Sequence, residues 1–420
     1  MKRGFYTIMS AQFFSSLADN ALFVVAVELL RTDGAPPWQA AALVPMFALF
    51  YVLLAPWVGA FADSLPKGRV MFYSNAVKAL GCVLMLAGSH PLLAYGVVGL
   101  GAAAYSPAKY GILTELLPAS RLVKANGWIE GLTIASIILG VVLGGQLVAP
   151  EVSELLLAGQ WPGIELPAEG AIFALIPVYL LAAWFNLHIP LTRTRRRPMP
   201  RNPLALLPDF RECNRRLWRD KLGQISLAST TLFWGVSGNL RYVVLAWAAA
   251  ALGYGTTKAA ALVGVVALGT ASGAVFASLR IRLDRAPRVI PWGIGMGVLV
   301  MAMNLIDSIW VAVPFLVFMG ALGGFLVVPM NALLQHRGHH LMGAGRSIAV
   351  QNFNEQLAIL LMGAAYSIAS SWGLSAFGAV TAFGATVTLV MWLIQRWYAW
   401  NLRAYREEMS RLKVIARRDK

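Results

Sequence analysis

Charged side chains are scarce in this chain of 420 residues: Asp, Glu, Lys and Arg make up 13% of it, against roughly a quarter in ordinary soluble domains. Cysteine is also scarce, because Cys82 and Cys213 are the two present and lie far apart, so we expect no disulfide. None of the five histidines begins a His-x-x-x-x-Asp motif, the arrangement that a membrane acyltransferase would need. These shortages disfavour a soluble domain and a lipid acyltransferase.

Apolar residues are abundant instead, at 58% of the chain. They form runs long enough to cross the roughly 30 Å of hydrocarbon in a bilayer. The first run lacks a small-residue cleavage motif, so we expect it to be retained as a helix rather than removed as a signal peptide. The sequence therefore predicts an all-α membrane protein with twelve transmembrane helices, near residues 5–30, 40–62, 70–88, 91–113, 125–149, 170–190, 223–250, 258–279, 289–306, 309–333, 346–370 and 374–396.

The second half of the chain resembles the first. With an offset of 219, the positions that recur are Phe14, Asn20, Val24 and Val25, as Phe233, Asn239, Val243 and Val244. With an offset of 222, Gly101 and Pro107 recur as Gly323 and Pro329. This duplication predicts two pseudo-symmetric six-helix bundles, which is the major facilitator architecture, with substrate bound near the midplane between halves.

The expected domain organisation follows from this duplication and from the placement of charge. We expect an N-terminal bundle over 1–192, a basic linker over 193–222, a C-terminal bundle over 223–400 and a basic tail over 401–420. Of the 35 Lys and Arg residues, 30 fall on the side of the linker and of both termini, two on the other side and three within runs. The positive-inside rule then places both termini in the cytoplasm, and the net charge of +16 requires no nucleic-acid partner.

Two ionisable residues lie deep in apolar runs, where charge is costly: Asp19 in the first helix and Arg241 in the seventh. A membrane-embedded charge is a functional site by default, because a partner, water or a ligand must offset its burial. The two fall at comparable depth in related helices, so we expect them to meet in a hydrated cavity. They would form a salt bridge there or contact opposite charges of a ligand, and a purely structural pair is the alternative.

Other polar residues accompany these charges. Glu355 and Asn354 lie near the middle of the eleventh helix, where we expect them to face the cavity. Glu130 lies a turn or two inside the fifth helix and is a candidate gate residue or a carboxylate that reaches interfacial water. Asn20 and Asn239 are candidate ligand contacts, and hydrogen bonds between helices explain them nearly as well. We expect Lys78, within the third helix, to lie at a membrane interface and to be dispensable.

The loop after the second helix carries Asp63, Lys67 and Arg69 in the segment GAFADSLPKGR. It is similar to the Gly-x-x-x-Asp and Gly-Arg signature of the major facilitator superfamily, although Asp63 and Gly68 stand further apart than usual. In that superfamily such an aspartate caps a helix and pairs with arginine at the cytoplasmic gate. The resemblance implies a gating role for Asp63, with a simple turn of solvated charges as the alternative.

A denser resemblance runs through residues 10–145. The segments that carry it are ADNAL at 18–22, ADS at 62–64, KGRV at 67–70, GAAAYSPAKYGIL at 101–113 and LVKANG at 122–127. Together they resemble the bacterial lysophospholipid transporter family of the major facilitator superfamily. Lys109 belongs to the longest of these segments and joins the candidate substrate contacts for that reason, since alone it would be interpreted as a lysine that reaches the interface.

The resemblance implies a flippase-like importer of the Gram-negative inner membrane that moves lysophospholipids such as lysophosphatidylethanolamine from the outer to the inner leaflet. There a separate acyltransferase/acyl carrier protein synthetase would reacylate them. It implies no cofactor, no metal and no catalytic residue. The expected substrate contacts are Asp19, Asn20, Arg241, Asn239, Glu355, Lys109 and Asn354, and the expected gate residues are Asp63, Lys67, Arg69 and Glu130.

The physical interpretation agrees with such a ligand. Asp19 would receive an ammonium, Arg241 would contact a phosphate through its planar guanidinium, and apolar walls would hold one acyl chain. The strongest rival is a proton-coupled exporter of drugs or solutes, in which Asp19, Glu130 or Glu355 takes up protons. Dependence of transport on a proton gradient separates the two hypotheses.

Overall fold

The computed structural model describes residues 3–160, 162–192, 194, 196–254 and 256–417. Within these residues it also leaves seven side chains undescribed, those of Arg3, Pro37, Trp38, Ala41, Arg241, Thr256 and Thr257.

The described residues form sixteen α-helices and three short 3₁₀ segments, with no strand among them. The helices are α1 (Arg3–Thr32), α2 (Pro37–Leu53), α3 (Ala55–Ser64), α4 (Lys67–Leu86), α5 (Pro91–Leu116), α6 (Ala119–Leu147), α7 (Pro150–Leu157), α8 (Pro167–Leu187), α9 (Leu206–Arg219), α10 (Gly223–Leu252), α11 (Thr256–Arg280), α12 (Ile290–Ala302), α13 (Ile309–Met342), α14 (Ala344–Ser371), α15 (Ala376–Ala404) and α16 (Arg406–Arg417). The 3₁₀ segments are Pro203–Ala205, Leu283–Val289 and Met303–Leu305.

Each of the twelve predicted spans lies on one or two of these helices. In the described part of the chain, eight helical segments are long and apolar enough to cross a membrane, and a bent pair makes a ninth. The three remaining predicted spans are α5, α10 and α14, which have 26, 30 and 28 residues. At 1.5 Å per residue these helices reach about 39 to 45 Å, so length suffices. They are also the helices that carry Lys109, Arg241 and Glu355.

The second predicted span, 40–62, is broken rather than continuous. Helices α2 and α3 meet at Leu54 with a bend of 65°. Pro56, in the first turn of α3, lacks the amide hydrogen that would continue the helix, and its ring crowds the preceding turn. The bend redirects α3 so that it ends at Ser64, one residue after the gate candidate Asp63.

The chain forms two compact units. Unit 1 comprises 1–116, 132–211 and 343–352, and unit 2 comprises 117–131, 212–342 and 353–420. In unit 1, α1 and α4 pack against α8, and α4 packs along α5. In unit 2, α11 packs along α13 and α12 along α15. The domain boundaries expected from the sequence remain a prediction.

The helix pair α11 and α13 shows how glycine permits close packing in unit 2. A Cβ atom added to Gly273 would lie 1.9 Å from the carbonyl oxygen of Ala321, and one added to Gly324 would lie 2.0 Å from that of Thr270. Any side chain at these positions would push the two backbones apart. Small residues at a helix interface serve this purpose in membranes, where van der Waals packing drives association.

Two amphipathic helices lie in the segments expected as linker and tail. In α9 the buried face contains Leu206, Cys213 and Leu217, while its arginines point outward. In α16 the buried face contains Met409, Leu412 and Ala416, and Arg417 forms an ion pair with Asp284 at 2.7 Å. The basic segments are therefore partly helical and packed against the protein.

Candidate functional site

Asp19 lies near the middle of α1, inside an apolar core of unit 1. Its carboxylate has two partners from other helices. The Lys78 ammonium on α4 lies 2.6 Å from Oδ2, and the Tyr179 hydroxyl on α8 donates to Oδ1 at 2.9 Å. Both hydrogen bonds involve a charged group, so they are the strong kind and fix the orientation of the carboxylate. The charge of Asp19 is thus neutralised within unit 1.

A second layer of polar groups supports Lys78. Its ammonium donates to the Ser15 hydroxyl at 3.0 Å, which in turn donates to the Asn75 side-chain oxygen at 2.7 Å. Ser15 lies one turn before Asp19 on α1, and Asn75 lies one turn before Lys78 on α4, so each pair shares a helix face. The Lys78 ammonium also lies 4.9 Å from the centre of the Tyr105 ring on α5.

Lys78 is fully buried, with 1% of its side chain exposed, whereas 18% of the Asp19 side chain is exposed. The expectation that Lys78 lies at a membrane interface is therefore wrong. A lysine in mid-helix that cannot reach the interface needs a counter-ion, and Asp19 on a neighbouring helix is that group. The sequence does contain a signal for this ion pair: Ser15 lies one turn before Asp19, and Asn75 lies one turn before Lys78. Tyr179 carried no such signal.

Gly101 on α5 creates the room for Lys78. A Cβ atom at this position would lie 2.7 Å from the Lys78 Cγ atom and 2.7 Å from the Ser74 carbonyl oxygen of α4. The second contact is with backbone, which cannot give way as the end of a side chain can. Glycine at this position therefore sets the distance between α4 and α5 at the level of the ion pair.

Replacing Gly101 by Ala should destabilise the protein by about 1 to 3 kcal/mol, the usual cost of overpacking. The matched control is Gly131→Ala on α6, where an added Cβ meets nothing within 4 Å among the described residues. The control should be neutral or slightly stabilising, because Ala is the better helix former. Thermal unfolding of the purified proteins in detergent measures both. Equal unfolding midpoints for the two variants would contradict the close approach.

The repeat-related asparagines bond to helix backbone. Asn20 donates to the Ser16 carbonyl oxygen of its own helix at 2.7 Å. Asn239 on α10 is buried and donates to the carbonyl oxygens of Gly235, at 2.8 Å, and Ile359 on α14, at 3.0 Å. For Asn239, the alternative of a hydrogen bond between helices is the arrangement observed. The side chain of Arg241 lies outside the described residues, so its meeting with Asp19 stays a prediction.

Asn354 and Glu355 are the two residues of α14 that we expected to contact a ligand. Asn354 donates to the Asn214 side-chain oxygen on α9 at 3.0 Å and accepts from the Trp218 indole at 3.2 Å. These contacts tie α14 to the amphipathic helix α9 within unit 2. Glu355 is buried on the same helix. The expected contact of both residues with a ligand remains a prediction.

Lys109 and Glu130 are both buried, contrary to the simplest interfacial interpretation of each. The Lys109 ammonium lies 4.2 Å from the centre of the neighbouring Tyr110 ring on α5. One turn before Glu130, Asn126 exchanges two amide hydrogen bonds with Gln335 on α13, at 2.9 and 3.0 Å. Sequence reasoning missed this reciprocal pair, which joins α6 to α13 in unit 2.

Asp63 caps a helix that is remote in the sequence. Its carboxylate accepts the backbone N–H groups of Gly345, at 2.7 Å, and Arg346, at 3.1 Å, in the first turn of α14. It also lies 3.4 Å from the Arg346 guanidinium. The predicted helix cap and arginine pairing of Asp63 are therefore confirmed, and its gating role remains a prediction. An added Cβ at Gly345 would lie 2.7 Å from the Asp63 Oδ1 atom, so the cap requires glycine there.

Lys67 bridges two buried carboxylates beside this cap. Its ammonium lies 2.9 Å from Asp63 and 3.3 Å from Glu115, and it also donates to the Ala62 carbonyl oxygen at 2.6 Å. The Thr192 hydroxyl donates to the other carboxylate oxygen of Glu115, Oε2, at 2.6 Å. Arg69, the remaining gate candidate, is exposed in the first turn of α4. The cluster has a polar cavity beside it, lined by Asp63, Lys67, Glu115, Thr192, Arg196 and Arg197 among others.

A second buried ion pair, missed by sequence reasoning, lies in unit 2. Arg337 near the end of α13 binds both oxygens of Asp220, at 3.1 and 2.6 Å. Asp220 also accepts the Gly223 N–H at 2.7 Å, so it caps the start of α10. Asp220 and Arg337 are 117 residues apart, and nothing in their local sequence indicates the pairing.

Comparisons with known proteins agree on one superfamily. Residues 8–363 match the family model described as Major Facilitator Superfamily. The chain is 40% identical over 398 residues to a protein of Enterobacter sp. (strain 638) named Lysophospholipid transporter LplT, covering 94% of this chain and 96% of that one. A protein of the same name from Yersinia pestis (strain Pestoides F) is 40% identical over 374 residues, covering 89% and 88%.

Solved structures give the same fold at low sequence identity. FucP, described as a Major Facilitator Superfamily transporter in the outward conformation, has a TM-score of 0.73 at 14% identity, covering 94% of this chain and 98% of its own. The human organic anion transporter MFSD10 (TETRAN) has a TM-score of 0.71 at 15% identity, covering 94% and 100%. At such identities the likeness concerns the fold alone.

Proposed function

Because the chain belongs to the lysophospholipid transporter family of the major facilitator superfamily, we propose that it moves lysophospholipids such as lysophosphatidylethanolamine from the outer to the inner leaflet of a Gram-negative inner membrane. The chain is a multi-pass membrane transporter and not an enzyme. In this proposal both termini are cytoplasmic, and the ligand enters through a lateral opening and is released by alternating access. A separate acyltransferase/acyl carrier protein synthetase would then reacylate it.

The observation that carries the proposal is the partly exposed carboxylate of Asp19 in the middle of an apolar helix. An ionised carboxylate has about four acceptor sites, and Lys78 and Tyr179 occupy two of them. The remaining sites suit the three donors of a primary ammonium. Lysophosphatidylethanolamine carries such an ammonium at the end of its headgroup, and its single acyl chain requires apolar walls.

The other expected contacts keep their roles in the proposal. Arg241 would bind the phosphate through its planar fork, as arginine does elsewhere. Glu355, Lys109 and Asn354 would line the path of the headgroup. Asp63 and Lys67 would hold the gate, because they join α3 and α4 to the start of α14 by buried ion pairs and a helix cap.

The test is reconstitution of the purified protein in vesicles of bacterial phospholipids. Labelled lysophosphatidylethanolamine added outside should reach the inner leaflet faster than in protein-free vesicles, measured by protection of the label from an impermeant quencher. Labelled phosphatidylethanolamine with two acyl chains should stay at the protein-free rate. Absence of acceleration would refute the proposed function.

The same vesicles decide between this proposal and proton-coupled export. If Asp19, Glu130 or Glu355 carries protons as an obligatory part of transport, an imposed pH gradient should change the rate and extent of lysolipid movement severalfold. We expect the rate to be the same with and without the gradient. Accumulation of lysolipid driven by the gradient would favour the exporter.

A further inference from the structure

Lys78 lies behind Asp19 as seen from the exposed side of the carboxylate. The Asp19 side chain is 18% exposed and that of Lys78 is 1% exposed, while their charged atoms are 2.6 Å apart. A ligand that touches Asp19 therefore does not touch Lys78. We propose, on the basis of the proposed function, that Lys78 is a positioning residue that sets headgroup specificity: by keeping the Asp19 site neutral, it favours ligands that carry a phosphate over ligands that carry an ammonium alone.

The geometry keeps Lys78 in place when a ligand arrives. Its ammonium is held by Asp19 and by the Ser15 hydroxyl, and it lies over the Tyr105 ring. Its stem contacts the backbone of α5 at Gly101, where there is no space even for a Cβ atom. The lysine has no room to withdraw on that side. A ligand ammonium consequently joins the carboxylate as a second cation and does not replace the first.

A second cation changes the charge balance of the site. With Asp19 and Lys78 alone the net charge is zero, and an added ammonium makes it positive. Two unit charges about 5 Å apart at an effective dielectric constant near 20 repel strongly enough to cost more than a hundredfold in affinity. Because Asp19 is partly exposed, water weakens the repulsion, and roughly tenfold is the effect we expect for a bound ligand.

A phosphate in the ligand removes this disadvantage. In lysophosphatidylethanolamine two carbons separate the phosphate oxygen from the ammonium, so the phosphate lies within the field of Lys78 without touching it. The zwitterion keeps the site neutral, whereas a single-chain amine leaves it positive. The paired lysine distinguishes this site from that of an exporter of organic cations, where a buried carboxylate without a counter-ion would be the simplest way to bind a cation.

The experiment measures competition against labelled lysophosphatidylethanolamine bound to purified protein in nanodiscs. Two unlabelled competitors have the same chain length: an alkyltrimethylammonium, which carries only the positive charge, and lysophosphatidylglycerol, which carries only the negative charge. In Lys78→Met, affinity should rise roughly tenfold for the cation and fall roughly tenfold for the anion. The ratio of the two affinities should thus change by about a hundredfold from the unmodified protein.

Two controls separate charge from packing. Gly101→Ala disturbs the packing around Lys78 without changing any charge, so it should lower both affinities alike and leave their ratio unchanged. Asp19→Asn with Lys78→Met restores neutrality, so its ratio should return to within a few fold of the unmodified protein although binding is weaker. Measurements at pH 6, 7 and 8.5 show whether the ratio of the two affinities depends on pH.

A shift of the ratio toward the cation at any of these pH values supports the inference. An unchanged ratio in Lys78→Met at every pH, with both affinities lowered as in Gly101→Ala, would overturn it and leave Lys78 a packing residue. The proposed function is judged separately, by whether the unmodified protein moves lysophosphatidylethanolamine in vesicles at all.

Discussion

Replacing Asp19 by Asn should destabilise the protein by about 3 to 5 kcal/mol, because it leaves the Lys78 ammonium buried without its counter-ion. Lys78→Met should cost a similar amount, since the carboxylate then loses its cation. The double variant should be more stable than either single variant, because two neutral side chains of similar size replace both charges. The coupling energy between the two sites should reach at least about 2 kcal/mol.

Thermal unfolding midpoints of the four proteins in one detergent measure this coupling. The control is Glu28→Gln, which removes the partner of Arg31 in an exposed ion pair on the same helix α1. Exposed pairs contribute about 0 to 1 kcal/mol, so this control should unfold close to the unmodified protein. Additive effects of Asp19→Asn and Lys78→Met would contradict the buried pair.

The double variant also isolates the role of Asp19 in transport. It keeps a neutral, folded core but offers no carboxylate to an ammonium. Loss of a charge-assisted contact in a mostly desolvated site costs about 2 kcal/mol or more, so lysophosphatidylethanolamine movement should fall at least about tenfold. Normal transport by a stable double variant would remove Asp19 from the substrate site.

The helices were predictable from the sequence because their signal is local. Long apolar runs mark the predicted spans, each of which lies on one or two of the described helices, and the paired positions Asn20 and Asn239 mark the duplication. The bend between α2 and α3 was also accessible, since Pro56 lies where the helix breaks. The helices α9 and α16 lie in segments rich in arginine, where charge concealed an amphipathic pattern.

The partners of the charged residues were less predictable, because apolar runs determine depth but not the direction in which a side chain points. Asp19 was correctly identified as a charge within an apolar helix, but its observed ion-pair partner is Lys78, which we did not predict as a partner from the sequence. The pair Asp220 and Arg337 was missed because the two residues are 117 apart and their local sequence does not indicate the contact. The partners of Asp63 were predictable, because its motif resembles a superfamily motif in which an aspartate caps a helix. The structure shows such a cap at the start of α14.

Asp63→Asn should open the junction between α3 and α14 and reduce lysolipid transport about tenfold or more. The substitution removes the negative charge from an ion pair with Lys67 at 2.9 Å, in which both side chains are nearly buried. It also weakens the hydrogen bonds that the backbone N–H groups of Gly345 and Arg346 donate to this side chain, because an amide oxygen lacks the negative charge that interacts favourably with a helix N-terminus. Together these losses should cost about 2 to 4 kcal/mol locally.

Hydrogen exchange followed by mass spectrometry measures this effect at its origin. In the unmodified protein the backbone N–H groups of Gly345 and Arg346 donate hydrogen bonds to the carboxylate, so they should exchange slowly, and in Asp63→Asn they should exchange at least tenfold faster.

The matched control is Asp209→Asn, which removes another carboxylate partner of Arg346, at 2.8 Å. Because the Asp209 side chain is 45% exposed, its loss should cost less than about 1 kcal/mol and leave these amides protected. If Asp209→Asn impairs transport as much as Asp63→Asn does, the charge on Arg346 matters more than the cap. If both variants transport normally, the cap stabilises α14 without acting as a gate.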